Sequence, residues 1–122
     1  MKIDFEDERP IFQQIAIGIE DAILTGAFQE GTQIPSITEF SVTYKINPAT
    51  ALKGINLLVE DKIIYKKRGV GMFVSDGAVM KLREKRKEEF YDNFIKSLIE
   101  EAKKLDISGD EIIAMVERGY EA

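Results

Sequence analysis

Residues 35–53 read Pro35-Ser36-Ile37-Thr38-Glu39-Phe40-Ser41-Val42-Thr43-Tyr44-Lys45-Ile46-Asn47-Pro48-Ala49-Thr50-Ala51-Leu52-Lys53. Ser36 followed three residues later by Glu39 is a capping-box pattern. The hydroxyl accepts from a backbone N–H of the first turn, and the carboxylate reaches back to the N–H of the capping residue. The spacing predicts a short helix from about residue 37 to 44. Asn47-Pro48 repeats the signal, with asparagine as N-cap and proline at the first helical position, where its missing N–H costs nothing. The helix beyond it carries Ala51, Leu52, Ile55, Leu58 and Val59 on one apolar face. Two short helices separated by Lys45-Ile46-Asn47 have the length pattern of a helix-turn-helix.

Downstream, Ile63-Ile64-Tyr65-Lys66-Lys67 and Gly71-Met72-Phe73-Val74-Ser75 are rich in β-forming residues, with Arg68-Gly69-Val70-Gly71 at their junction. That combination predicts a hairpin. Upstream, Ile11, Ile15, Ile19, Ala22 and Ile23 recur at helical spacing behind Pro10, and Gly26 suits the position that ends such a helix. Phe12 and Ala16 widen that stripe. Gln33-Ile34 can add one short strand. A helix-turn-helix closed by a basic-tipped hairpin is a winged helix, so the expected class is α+β.

Asp76-Gly77 marks the expected boundary, giving a winged helix-turn-helix over residues 1–76 and a helical tail over 77–122. From Ala78 to about Leu105 the chain is helix-prone, and almost wholly charged between Lys81 and Glu89. Apolar residues return at Phe90, Tyr91, Phe94, Ile95, Leu98, Ile99, Ala102 and Leu105, a strong amphipathic stripe. Asp106-Ile107-Ser108-Gly109 breaks it. Ser108 and Glu111 form a second capping box, opening a last helix expected to turn Ile112, Ile113, Val116 and Tyr120 inward. An isolated amphipathic helix needs a partner for its apolar face. The last helix is too short to cover the stripe, so Phe90, Tyr91, Phe94, Ile95, Leu98, Ile99 and Leu105 are the expected dimerisation residues.

The net charge of −5 argues superficially against a polyanionic partner, but its distribution matters more than its sum. Residues 1–43 carry two bases against eight acids, and residues 77–122 nine against eleven. Residues 44–76 carry six bases against three acids, with no acid from Lys62 to Ser75. A basic face on an acidic body can bind double-stranded DNA while the acidic remainder limits indiscriminate adhesion.

The expected DNA-binding residues follow from that geometry. Lys53, about a turn and a half into the expected recognition helix, is placed to reach the major groove or its flanking phosphates. Asn47 caps that helix, and both it and Thr50 can reach a phosphate or base edge at a helix N-terminus. Ser36 and Thr38 begin the preceding helix, while Tyr44 can either pack or touch a phosphate. In the wing, Lys66, Lys67 and Arg68 flank Gly69 and Gly71, which permit close approach of backbone to DNA. The bland alternatives are helix caps, a hairpin turn and solvated charges.

With no cysteine and no histidine, the chain has no disulfide, Cys–His or Ser–His–Asp chemistry. Glu88-Glu89 and Glu100-Glu101 read as solubilising pairs on a helix surface. No catalytic constellation, metal site or cofactor is expected, and so no enzymatic activity. The N-terminus has no apolar core of signal-peptide length, and no stretch approaches the ~20 apolar residues of a membrane span. A cytoplasmic location is expected.

Several blocks then carry a resemblance. Pro10-Ile11-Phe12-Gln13-Gln14-Ile15, Ala22-Ile23-Leu24-Thr25-Gly26 and Gly31-Thr32-Gln33-Ile34-Pro35-Ser36 resemble the start of the GntR family of bacterial transcription regulators. Asn47-Pro48-Ala49-Thr50-Ala51-Leu52-Lys53 and Arg68-Gly69-Val70-Gly71-Met72-Phe73-Val74 extend the likeness through recognition helix and wing, over roughly residues 10–75. The short tail and the Asn-Pro opening resemble the YtrA subfamily in particular. That resemblance implies a homodimer repressing an operon for an ABC transporter, with no room for the large effector domain of other subfamilies. The family often carries arginine where this chain has Thr38 and Pro48. Two other functions stay open: a winged helix used as a protein-interaction module, and a small-molecule sensor with its effector held in the helical tail.

Overall fold

A computed structural model describes all 122 residues. The chain forms two compact units, Met1–Glu84 and Lys85–Ala122.

In the first unit, α1 (Ile11–Leu24) buries Ile15, Ala16, Ile19 and Ile23, the stripe expected from the sequence. Pro10 is its N-cap residue, one position before the first helical turn. The helix ends as Gly26 takes a positive φ of 87°, a conformation that costs glycine least. Gln14 is also buried. It accepts from the Asp4 N–H at 2.8 Å and donates to the carbonyls of Asp4 and Arg9, pinning the N-terminal segment to α1.

The capping box is present as expected. Ser36 Oγ accepts from the Glu39 N–H at 3.1 Å, and Glu39 Oε1 accepts from the Ser36 N–H at 3.2 Å, opening α2 (Ile37–Tyr44). Lys45 then adopts the left-handed conformation, with φ 54°, and makes the tight turn into the next helix. Asn47 Oδ1 accepts from the Ala49 N–H at 2.8 Å, capping α3 (Pro48–Glu60). Ala51, Gly54, Ile55 and Leu58 form its buried face. Leu52, expected on that face, is 36% exposed and lies at its edge. It stands three residues from Ile55 and six from Leu58, yet packing seats α3 with Gly54 inward. A Cβ at position 54 would stand only 2.6 Å from the Phe12 carbonyl oxygen, so glycine lets α1 and α3 approach at this point.

The hairpin forms from β2 (Ile64–Lys67) and β3 (Gly71–Val74), with Lys67 opposite Gly71. The short strand β1 (Gln33–Ile34) joins the other side of β3, giving a three-stranded antiparallel sheet in the order β1-β3-β2. Alternation along β3 turns Met72 and Val74 into the core, as a strand of period two requires. Phe73 faces the other way and stacks on Tyr65 at 5.6 Å between ring centroids.

The chain continues as α4 (Ala78–Phe90). Ala78 and Leu82, which lie beyond the boundary expected at Asp76-Gly77, are completely buried in the core of the first unit. Glu30 holds the start of this helix by accepting from the N–H groups of Gly77 at 2.8 Å and Val79 at 3.1 Å. Those two bonds favour the ionised form and keep the Glu30 carboxyl below its ordinary pKa.

In the second unit a π-helical turn, Tyr91–Ile95, precedes α5 (Lys96–Lys104), where a single regular helix was expected. The Lys96 N–H donates to the Tyr91 carbonyl, five residues back, which shifts the apolar stripe around the helix surface. Asp106 ends α5 with φ 57°, and the second capping box opens α6 (Gly109–Glu121). Ile113, Val116 and Tyr120 are exposed, Tyr120 by 89%, so the inward orientation expected for them is not found within the chain. No helix is long and apolar enough to cross a membrane.

Candidate nucleic-acid interface

The two capped helix starts and the wing supply the residues expected to meet DNA. Gln33, Ser36, Ile37, Lys66, Lys67, Arg68 and Gly71 line one open groove of about 410 Å³. The start of α2 and the wing, separated by about thirty residues in the chain, thus form one surface. Ser36 presents its capped helix end there, and Thr38 is exposed in the first turn of the same helix. The first N–H groups of a helix carry partial positive charge, so a phosphate near Ser36 would meet both the helix end and the wing cations.

The wing loop is Arg68-Gly69-Val70, between paired Lys67 and Gly71. Val70 N–H donates to the Lys67 carbonyl at 2.9 Å, and Gly69 takes φ 76° at the tip. Each strand lysine has an intramolecular partner. Lys66 Nζ donates to Asn56 Oδ1 at 3.0 Å, linking the wing to α3. Lys67 Nζ lies 5.5 Å from the centroid of the Phe73 ring, within the range of a cation–π attraction. Arg68 is exposed at the tip.

On α3, Asn47 is exposed while serving as the cap, and Thr50 is half-buried one turn on. Lys53 is exposed, and its ammonium sits over the Phe12 ring of α1, 4.1 Å from the centroid. It lines a second open groove, of about 370 Å³, with Ala49, Leu52, Asn56, Leu57 and Glu60. The Lys66–Asn56 hydrogen bond joins the two grooves. Tyr44 is set apart from both. It is half-buried, packs against the core, stacks with Phe40 at 6.2 Å and lines a separate cavity with Met1, Phe28 and Phe40.

Gln33, Asn56, Phe12 and Leu52 were not among the expected site residues. Their roles depend on partners or orientations that no local motif announces. Gln33 is the clearest case, since its side chain donates to the carbonyl of Val70, 37 positions away.

The tail residues expected to pair two copies lie on the second unit. Phe90, Tyr91, Phe94, Leu98, Ile99 and Leu105 are exposed, Phe94 by 60%, and Ile95 is half-buried. Phe90 and Phe94 pack against each other at 5.2 Å. No cluster of three or more His, Cys, Asp or Glu side chains is placed to hold a metal ion.

Comparison with known proteins places this surface in context. Residues 12–74 match the family model described as bacterial regulatory proteins, gntR family. A solved GntR family transcriptional regulator from Listeria monocytogenes superposes with a TM-score of 0.77 at 31% identity, covering 93% of this chain and 98% of that one. The HTH-type transcriptional repressor YtrA of Bacillus subtilis is 31% identical over 84 residues, 69% of this chain and 65% of YtrA. A solved structure of AraR(DBD) in complex with operator ORE1 is 26% identical, with a TM-score of 0.55, over 61% of this chain and 90% of that one.

Proposed function

We propose that this chain, which belongs to the gntR family of bacterial regulatory proteins, is a homodimeric repressor that binds a pseudo-palindromic operator and controls a transporter operon. Family membership makes it a transcriptional regulator with a DNA-binding winged helix, of the YtrA-like kind. Repression is inferred from the likeness to YtrA, and a transporter operon from the resemblance to that subfamily. The observation that carries DNA binding is the single groove in which the capped start of α2 meets Lys66, Lys67 and Arg68. A protein-interaction wing has no need of a cationic tip set against a helix N-terminus.

Dimerisation is supported by the second unit. Phe90, Tyr91, Phe94 and Leu105 of its first helices and Ile113, Val116 and Tyr120 of α6 are each more than a third exposed. Apolar surface on that scale is buried by association, and an obligate helical interface buries on the order of 2,000 Å² or more. Two-fold symmetry of the protein then requires two-fold symmetry in the operator, with half-sites about one helical turn apart or a multiple of that.

Selection of bound sites from a pool of random duplex DNA tests binding and yields the operator together. The expected product is an inverted repeat, protected on both arms at saturation. Failure to enrich any sequence would remove the DNA-binding role. Sedimentation of the full chain at micromolar concentration should give twice the chain mass of 13.8 kDa. A species at the chain mass alone would remove the dimer while leaving DNA binding to stand.

A further inference from the structure

The inner face of α3 is closed without help from its outer one: Ala51 and Ile55 have no exposure, and Leu58 almost none. Leu52 and Leu57 nevertheless stand on the outside, each 36% exposed. They share an open groove with Ala49, Lys53, Asn56 and Glu60. Exposing a leucine gives up the burial energy that the same residue would recover in a core. The fold covers most of Leu52 and leaves 36% of it open, on the side that lines this groove.

The polar side chains on either side of Leu52 have partners within the molecule. The Lys53 ammonium lies over the Phe12 ring, and Asn56 Oδ1 accepts from Lys66 Nζ. Asparagine at such a position could pair with adenine through both its amide groups, but here its oxygen is already occupied. The exposed residues of the first two turns of α3 are Pro48, Ala49, Leu52 and Lys53, and of these the Ala49 methyl and the Leu52 isobutyl group give the groove its apolar lining. Beside them stands the cationic wing, which suits a polyanion and not an apolar protein surface. Among the edges that base pairs present in the major groove, the one apolar feature is the C5-methyl of thymine.

We propose that Leu52, with Ala49 beside it, reads thymine methyl groups, and that Leu52 is a specificity-determining residue of this regulator. The proposal deepens the DNA-binding function above and rests on it. Each half-site then carries a thymine opposite the second turn of α3. Thymine preference arises at that position by contact with an apolar side chain, with no hydrogen bond to the base.

The experiment uses the full chain and the duplex selected from the random pool. Each thymine is replaced in turn by deoxyuridine, which removes the C5-methyl and leaves every hydrogen-bonding group in place. For the parent protein, substitution at one position per half-site should weaken binding about fourfold per methyl removed, the equivalent of one buried carbon. Leu52→Ala should bind the thymine duplex more weakly and no longer distinguish it from the deoxyuridine duplex, so the two losses are not additive. Circular dichroism of this exposed-site variant checks its fold. A parent protein indifferent to every deoxyuridine replacement overturns the proposal without any variant. So does a folded Leu52→Ala protein that retains the full thymine preference. Both outcomes leave DNA binding intact, whereas a pool that yields no bound duplex removes the underlying function.

Discussion

Gln33 on β1 donates its side-chain N–H to the Val70 carbonyl at 3.0 Å, tying a strand at the sheet edge to the tip of the wing. The same amide fills the space beside Gly71, whose φ is 144°, and a Cβ there would collide with it. The wing is therefore braced from the side opposite β2. Removing the brace by Gln33→Ala should cost about 0.5–1.5 kcal/mol, the net worth of one such hydrogen bond. Gly71→Ala should cost more, of order 1–3 kcal/mol, since it adds a sparsely populated backbone conformation to the collision. In the double variant the collision is gone and only the backbone strain remains, so the two costs should sum to more than the measured total. Denaturant midpoints of the four proteins decide this. Strict additivity would mean that Gln33 and Gly71 do not constrain each other.

Arg68, exposed at the tip beside Gly69, should contribute charge more than sequence preference. Arg68→Ala is expected to weaken binding to cognate and scrambled duplexes alike. The slope of log affinity against log salt should flatten by about 0.9 for each phosphate that a subunit no longer neutralises. Titrations at several salt concentrations check it. A weakening confined to the cognate duplex would instead identify Arg68 as a base reader.

Glu30 links stability to pH at the start of α4. Its carboxylate accepts from the Gly77 and Val79 N–H groups, which holds its folded pKa below the ordinary value. A depressed folded pKa means that this contribution is full above the unfolded pKa of a glutamate, about 4.3, and is lost as pH falls through the lower folded value. Glu30→Gln should therefore be less stable than the parent at pH 7, with the difference shrinking in acid. Thermal melts of both proteins from neutral pH to about pH 3 follow this window. A difference that stays constant across the range would show that ionisation of Glu30 plays no part.

Gly54 sets the distance between α1 and α3. A Cβ would stand 2.6 Å from the Phe12 carbonyl oxygen and 3.2 Å from Ile15, and backbone on one side leaves little room to yield. Overpacking of this kind costs about 1–3 kcal/mol, against a helix-propensity gain of up to about 1 kcal/mol for replacing glycine. Gly54→Ala should be net destabilised, with DNA affinity falling as Phe12 and the Lys53 lying over it are displaced. A more stable variant in urea would show that the two helices separate freely.

Much of this architecture is decided by chemistry that acts over three or four residues. Ser36 with Glu39, Ser108 with Glu111, Asn47 before Pro48 and the glycines of the wing each satisfy or bend their own backbone, so their effect is visible in the order of residues. The core stripe of α1 follows from helical periodicity in the same way. Three-dimensional packing decided the rest. Leu52 continues the apolar pattern of Ala51, Ile55 and Leu58, yet it is left partly exposed at the edge of a buried face that meets α1 through Gly54. Lys53 satisfies a ring on another helix, and Gln33 and Glu30 find backbone partners 37 and 47 residues along the chain. Ile113, Val116 and Tyr120 follow the same pattern as buried residues but meet nothing to bury them within one chain. Periodicity specifies which residues share a face; what that face meets depends on where distant segments come to lie.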